Sequence, residues 1–95
     1  MKMKKKRFRG QNQIVVIVNE DARAKASDYM DNFNCPIATA IKQKYSGINR
    51  VCVGGYELSI NDISYKILGR NGHANFVRES VRNGLDLAVI CEKKD

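Results

Sequence analysis

The chain has 95 residues, 43 % of them apolar and 28 % charged, with a formal net charge of +7. That balance fits a single small globular domain, leaves little room for two, and excludes bulk disorder. The longest apolar stretch, Ile14 to Val18, is far short of the ~18 residues that cross a membrane, and the basic N-terminus lacks the apolar stretch of a secretory signal.

The charge is unevenly placed. Lys2, Lys4, Lys5, Lys6, Arg7 and Arg9 supply six of the seven units, and residues 11–95 hold 11 basic against 10 acidic residues. Residues 1–10 therefore read as a basic tail ending in Gly10, with a single α+β domain over 11–95. Lys4, Lys5, Lys6, Arg7 and Arg9 suit phosphate contacts, and Phe8, between two arginines, suits stacking on a base.

Gln13 to Val18 is β-branched and continuous, the pattern of a buried strand. Asn19 then offers a helix cap, with Glu20 and Asp21 at the positive end of the dipole. Ala22, Ala26, Tyr29, Met30 and Phe33 recur at helical spacing, which predicts a first helix over 20–33. Pro36 suits the first position of a second helix, 36–46, whose apolar face is Ile37, Ala40, Ile41 and Tyr45. Gly47 is placed to terminate it in the left-handed conformation, after Lys42 and Lys44 in the last turns.

Arg50 to Val53 predicts a strand, and Gly54-Gly55 breaks or bulges it. A hairpin over 56–60 and 63–68 is the strongest local signal, with alternating apolar residues about Asn61-Asp62. After the loop 69–72, a helix over 73–83 points Ala74, Val77 and Val81 inward, widened by Phe76. Gly84 ends it, and Leu85 packs back on the last turn. Leu87 to Cys91 is a final strand. The order β-α-α-β-β-β-α-β predicts an α+β fold with a small mixed or mostly antiparallel sheet.

Candidate chemistry is sparse. Cys35, Cys52 and Cys91 are too widely spaced for a metal knuckle and read as reduced, packed thiols, so no metal or other cofactor is expected. Cys35 and His73 form the sole Cys-His pair available for nucleophilic catalysis, and nothing local supports it. Gly69 to Gly72 opens a helix, where free N–H groups bind anions; Arg70, Gly72, His73, Arg78 and Arg82 form a candidate phosphate or nucleotide site. Gly54 and Gly55 beside Tyr56 offer a second place for a ligand to approach, against the alternative of a bulge.

At Asn34-Cys-Pro-Ile-Ala-Thr-Ala-Ile41 the sequence resembles small uncharacterised proteins of tailed bacteriophages. In those, a Cys-Pro-(aliphatic)-Ala-x-Ala-(aliphatic) helix precedes a strand like Val51-Cys-Val-Gly-Gly55, a short helix like 76–84 and a last strand. The similarity covers about residues 34–90. Leu87 to Cys91 departs from it by lacking a Pro-Phe, as does the polylysine start. The resemblance implies a phage or prophage origin and action in the host cytoplasm.

The functional expectation is a non-enzymatic accessory protein that binds nucleic acid non-specifically through its basic N-terminal arm. The alternative is a small-ligand binder that sequesters a host nucleotide signal, or an interaction module in a virion or on a host enzyme. The expected partners are nucleic acid or a nucleotide, with a homo-oligomer open and no membrane.

Overall fold

The order of elements follows from where apolar residues recur and where turn residues interrupt them. The computed structural model describes residues 5–69 and 72–94. Strand β1 is Lys6–Arg7 and β2 is Gln13–Val18; helices α1 (Glu20–Lys25) and α2 (Pro36–Lys44) follow, and α2 runs straight into β3 (Tyr45–Ser46). Then come β4 (Val51–Val53), β5 (Glu57–Ile60), β6 (Ile63–Ile67), α3 (Ala74–Arg82) and β7 (Leu87–Lys93).

The main sheet has five strands in the order β2-β7-β6-β5-β4, antiparallel throughout, and β1 pairs with β3 as a small parallel ladder. This is the α+β fold expected from the sequence. Alternation puts Ile14, Val16, Val18, Val51, Val53, Leu58, Ile60, Tyr65, Ile67, Val89 and Cys91 on one face of the sheet, where they are buried. Ala22, Ile37, Ala40, Ile41, Ala74, Val77 and Val81 of the helices join that core. The other face is open: Cys52, Ser59 and Ser64 lie in one row across it, and Val15 opposite Ile90 in another.

Helix α1 is shorter than its apolar spacing predicts, ending at Lys25 instead of near residue 33. The reason is local competition for backbone N–H groups. Asp28 Oδ1 accepts from Met30 N–H at 2.9 Å, and Asp31 Oδ1 accepts from Phe33 N–H at 2.7 Å and Asn34 N–H at 3.2 Å. These bonds fold residues 26–34 into turns, so Met30 and Phe33 face solvent.

Gly47 also differs from expectation. It has φ +77°, yet α2 has already ended in extended Tyr45, so the glycine turns the chain after β3. Asn61 and Asp62, both with positive φ, make the two-residue turn between β5 and β6. The side chain of Asn61 reaches back across the sheet edge. Its Oδ1 accepts from the N–H groups of Asn49 and Arg50, and its Nδ2 donates to Gly47 C=O.

The largest departure is at the N-terminus, where the predicted tail is attached to the domain from Lys5 onward. Phe8 is a core residue, 8 % exposed, with its ring edge-on to Tyr45 and Tyr65 at 6.5 and 6.4 Å between centroids. Phe8 N–H donates to Ser46 C=O, and Tyr65 Oη donates to Gln11 C=O. Lys93 holds Gly10 through Nζ and Asn12 through its N–H. A Cβ on Gly10 would meet Ile63 Cδ1 at 2.9 Å, so glycine there permits the close approach. Burying one phenylalanine contributes about 1.5–3 kcal/mol toward holding the short cationic segment against the sheet, alongside the hydrogen bonds of Phe8, Gly10 and Lys5.

Candidate nucleic-acid interface

Because Phe8 is fixed in the core, the cations on either side of it are displayed from an ordered backbone. Lys5, Lys6, Arg7 and Arg9 are all exposed. Lys4 lies outside the described residues. Phe8 itself is not available to stack on a base, which corrects that expectation: its ring is occupied by Tyr45 and Tyr65.

The segment lies beside the C-terminal half of α2, whose last turn carries Lys42 and Lys44. Lys5 Nζ donates to Lys42 C=O at 3.0 Å. That carbonyl belongs to the negative end of the helix dipole, which favours cations. Lys44 Nζ donates to Val15 C=O and lies 5.6 Å from the centroid of the Tyr45 ring. The Lys44 bond covers the outer edge of β2 at that point, which blunts strand-to-strand association there. Each ammonium retains donors beyond the one used. Lys5, Lys6 and Lys44 thus border a shallow hollow of about 410 Å³ floored by Val16, Ile17 and Ala40.

Lys42 extends the cationic band to the other side of α2. Its Nζ donates to Phe33 C=O at 3.0 Å. The Arg50 guanidinium lies 5.6 Å from the centroid of the Phe33 ring, a cation–π contact. Neither pairing is visible in the sequence, where Phe33 reads as part of a helical stripe and Lys42 as a helix-end cation.

The glycine loop before α3 is arranged differently from a phosphate cradle. Arg70 lies outside the described residues. The first-turn N–H groups of α3 already have partners: Ala74 N–H donates to Gly55 C=O, Asn75 N–H to His73 Nδ1, and Phe76 and Val77 N–H to His73 C=O. Gly72 N–H donates to Gly69 C=O. Arg78 and Arg82 do not converge on a surface site. Arg78 is 4 % exposed and turns inward, donating to Asn75 Oδ1, Asn32 Oδ1 and Val53 C=O. Arg82 lies over the Tyr29 ring at 5.5 Å. Among the described residues, the N–H groups of Gly72 and of the first turn of α3 and the guanidinium of Arg78 are engaged within the fold and form no open anion cradle.

Gly54 and Gly55 form the β4–β5 connection, where Gly54 N–H donates to Glu57 C=O. Tyr56 packs edge-on against His73 at 4.4 Å while remaining 68 % exposed. Cys35 is fully buried at the start of α2, so its sulfur is closed to substrate, and His73 uses Nδ1 as a helix cap. Among the described residues no cluster of side chains has the composition to hold a metal ion, and no helix is long and apolar enough to cross a membrane. Compared with protein-family models, curated proteins and solved structures, the chain matches none.

Proposed function

We propose that the protein binds nucleic acid through phosphate contacts made by its N-terminal basic segment, seated on the domain by Phe8. The observation that carries this reading is the burial of Phe8, which brings Lys5 and Lys6 beside Lys44 and the Lys42 carbonyl at the end of α2. A free polylysine tail disperses its charge; a pinned segment adds helix cations to it and concentrates positive potential on one side of a nearly neutral domain. The phage-like helix motif supports an accessory role in a host cytoplasm.

The test is a variant that removes charge and keeps the anchor. Lys5→Gln, Lys6→Gln, Arg7→Gln and Arg9→Gln together leave Phe8 in place. The variant is expected to melt near the wild-type temperature and to bind DNA and RNA oligonucleotides at least tenfold more weakly at low salt. Wild-type affinity in this variant would overturn the proposal. Deleting residues 1–10 is a poorer test, since it also removes Phe8 from the core.

A further inference from the structure

We infer that Phe33 and Arg50 form a stacking platform for an unpaired base, so that the preferred ligand is single-stranded nucleic acid. The inference rests on the phosphate-binding reading above and adds the strand state of the ligand to it.

Phe33 is 42 % exposed although it sits on a fixed backbone. Its N–H donates to Asp31 Oδ1 and its C=O accepts from Lys42 Nζ. The next residue back, Asn32, accepts from Val53 N–H at 2.8 Å, which joins the loop to β4. Behind it, the buried Arg78 guanidinium reaches Asn32 Oδ1 and Val53 C=O, each at 3.4 Å. A ring presented from a backbone held at these points carries little of the ordering cost that weakens binding by mobile aromatics.

The surroundings match a base and its phosphate. The ring borders a hollow of about 190 Å³, with Ile48 and Val51 on its apolar side and Asn49, Arg50 and Lys42 on its polar side. A base face stacks on an aromatic ring whatever its identity, and Arg50 adds a cation–π contribution. Asn49 is exposed, and its carboxamide has both a donor and acceptor for a base edge. Asp28 and Asp31 of this loop each direct Oδ1 to the loop's own N–H groups, and both keep their negative charge, so an attracted phosphate is held on the Lys42 and Arg50 side of the ring. Lys42 adjoins both regions: its Nζ donates to Phe33 C=O at the ring, and its own C=O accepts from Lys5 Nζ of the N-terminal segment. A duplex keeps its bases stacked inside and presents none to Phe33, so the platform discriminates against it.

The experiment compares oligo-dT and oligo-U with a DNA duplex of equal length, for wild type, Phe33→Ala and Phe33→Trp. The wild type is expected to favour the single strands. Phe33→Ala should lose about tenfold or more in single-strand affinity, with duplex affinity and melting temperature unchanged. The chain has no native tryptophan, so Phe33→Trp should retain single-strand binding and report stacking by fluorescence quenching at saturation. Equal affinity of Phe33→Ala and wild type for single strands, or undiminished indole fluorescence of Phe33→Trp at saturation, overturns the platform while leaving the electrostatic reading intact if the four-glutamine variant is weak. Failure of the wild type to bind any of the three ligands overturns both readings.

Discussion

Cys91 lies within the interior strand β7, wholly buried, and burial pushes its thiol up to about 12 from an ordinary value of 9.0. Below pH 9 the thiol is protonated in the folded and unfolded chains alike, and its contribution to stability is intact. Above pH 9 the unfolded chain releases that proton while the folded chain retains it, so stability falls by about 1.4 kcal/mol per pH unit until the folded group titrates. Burial also raises the phenols of Tyr45 and Tyr65, which extends the loss beyond pH 10. Melting temperature measured from pH 8 to 11 should therefore decline, and Cys91→Ala, although less stable at pH 8, should decline less steeply. Equal slopes would show that the thiol is not the group responsible. Arg78 is the converse case, a charge inside the core that forms no ion pair among the described residues and whose Nε–H has no partner. Desolvating a guanidinium costs several kcal/mol, and one neutral hydrogen bond at 3.0 Å to Asn75 Oδ1 with two contacts at 3.4 Å offsets only part of it. Arg78→Met keeps the apolar stem and removes the charge, so it is expected to match or exceed wild-type stability in thermal melts. A loss above about 1 kcal/mol would show instead that the guanidinium contacts outweigh desolvation. Neither the burial of Arg78 nor that of Phe8 can be read from composition, because each depends on partners far along the chain.

The hairpin of β5 and β6 was the most legible element, because period-two alternation and two turn-forming residues agree on one structure. Its deeper role was not legible. The Asn61 side chain serves three backbone groups of the 47–50 segment, an arrangement set by tertiary approach. Asn61→Ala removes those bonds and puts alanine at φ +50°, a conformation that costs about 1–2 kcal/mol for an ordinary residue. The expected loss, about 2–4 kcal/mol in chemical denaturation, exceeds what a surface turn normally contributes. A loss below about 1 kcal/mol would mean that water replaces the side chain at those groups. In the same register, Asp62→Gly gives the turn the residue its φ of +69° prefers and should leave stability level or slightly higher. Helix α1 shows the opposite balance. Apolar spacing continues through Phe33, yet the Asp and Asn residues interleaved with it divert the backbone into turns, and propensity of this local kind overrode periodicity. The candidate interface was legible only in its charges. Lys5, Lys6, Arg7 and Arg9 stand out in the sequence; the contact of Phe33 with Arg50, far apart along the chain, does not.

Fold and binding are coupled in the whole molecule through one side chain. Phe8 belongs to the core and also positions the segment that carries most of the net charge, so its removal should affect both. Phe8→Ala leaves a cavity between Tyr45 and Tyr65 and is expected to cost about 3–5 kcal/mol. For a small domain that is a large share of total stability. At a temperature where the variant remains folded, every cation is still present, and only the seating of the segment beside α2 is lost. Salt dependence separates the two contributions. Each phosphate neutralised on a single strand contributes about −0.7 to the slope of log affinity against log salt. Replacing Lys5, Lys6, Arg7 and Arg9 by Gln should therefore make that slope shallower by up to about 3, the value for four phosphate contacts. Phe8→Ala should change the slope much less, because its charges remain, yet lower affinity at every salt concentration through the added freedom of the segment. If Phe8→Ala binds as tightly as wild type while folded, the lysines act as a flexible arm and their placement beside the end of α2 has no part in binding. If it instead reproduces the slope of the four-glutamine variant, the anchored geometry is what brings those cations to phosphate.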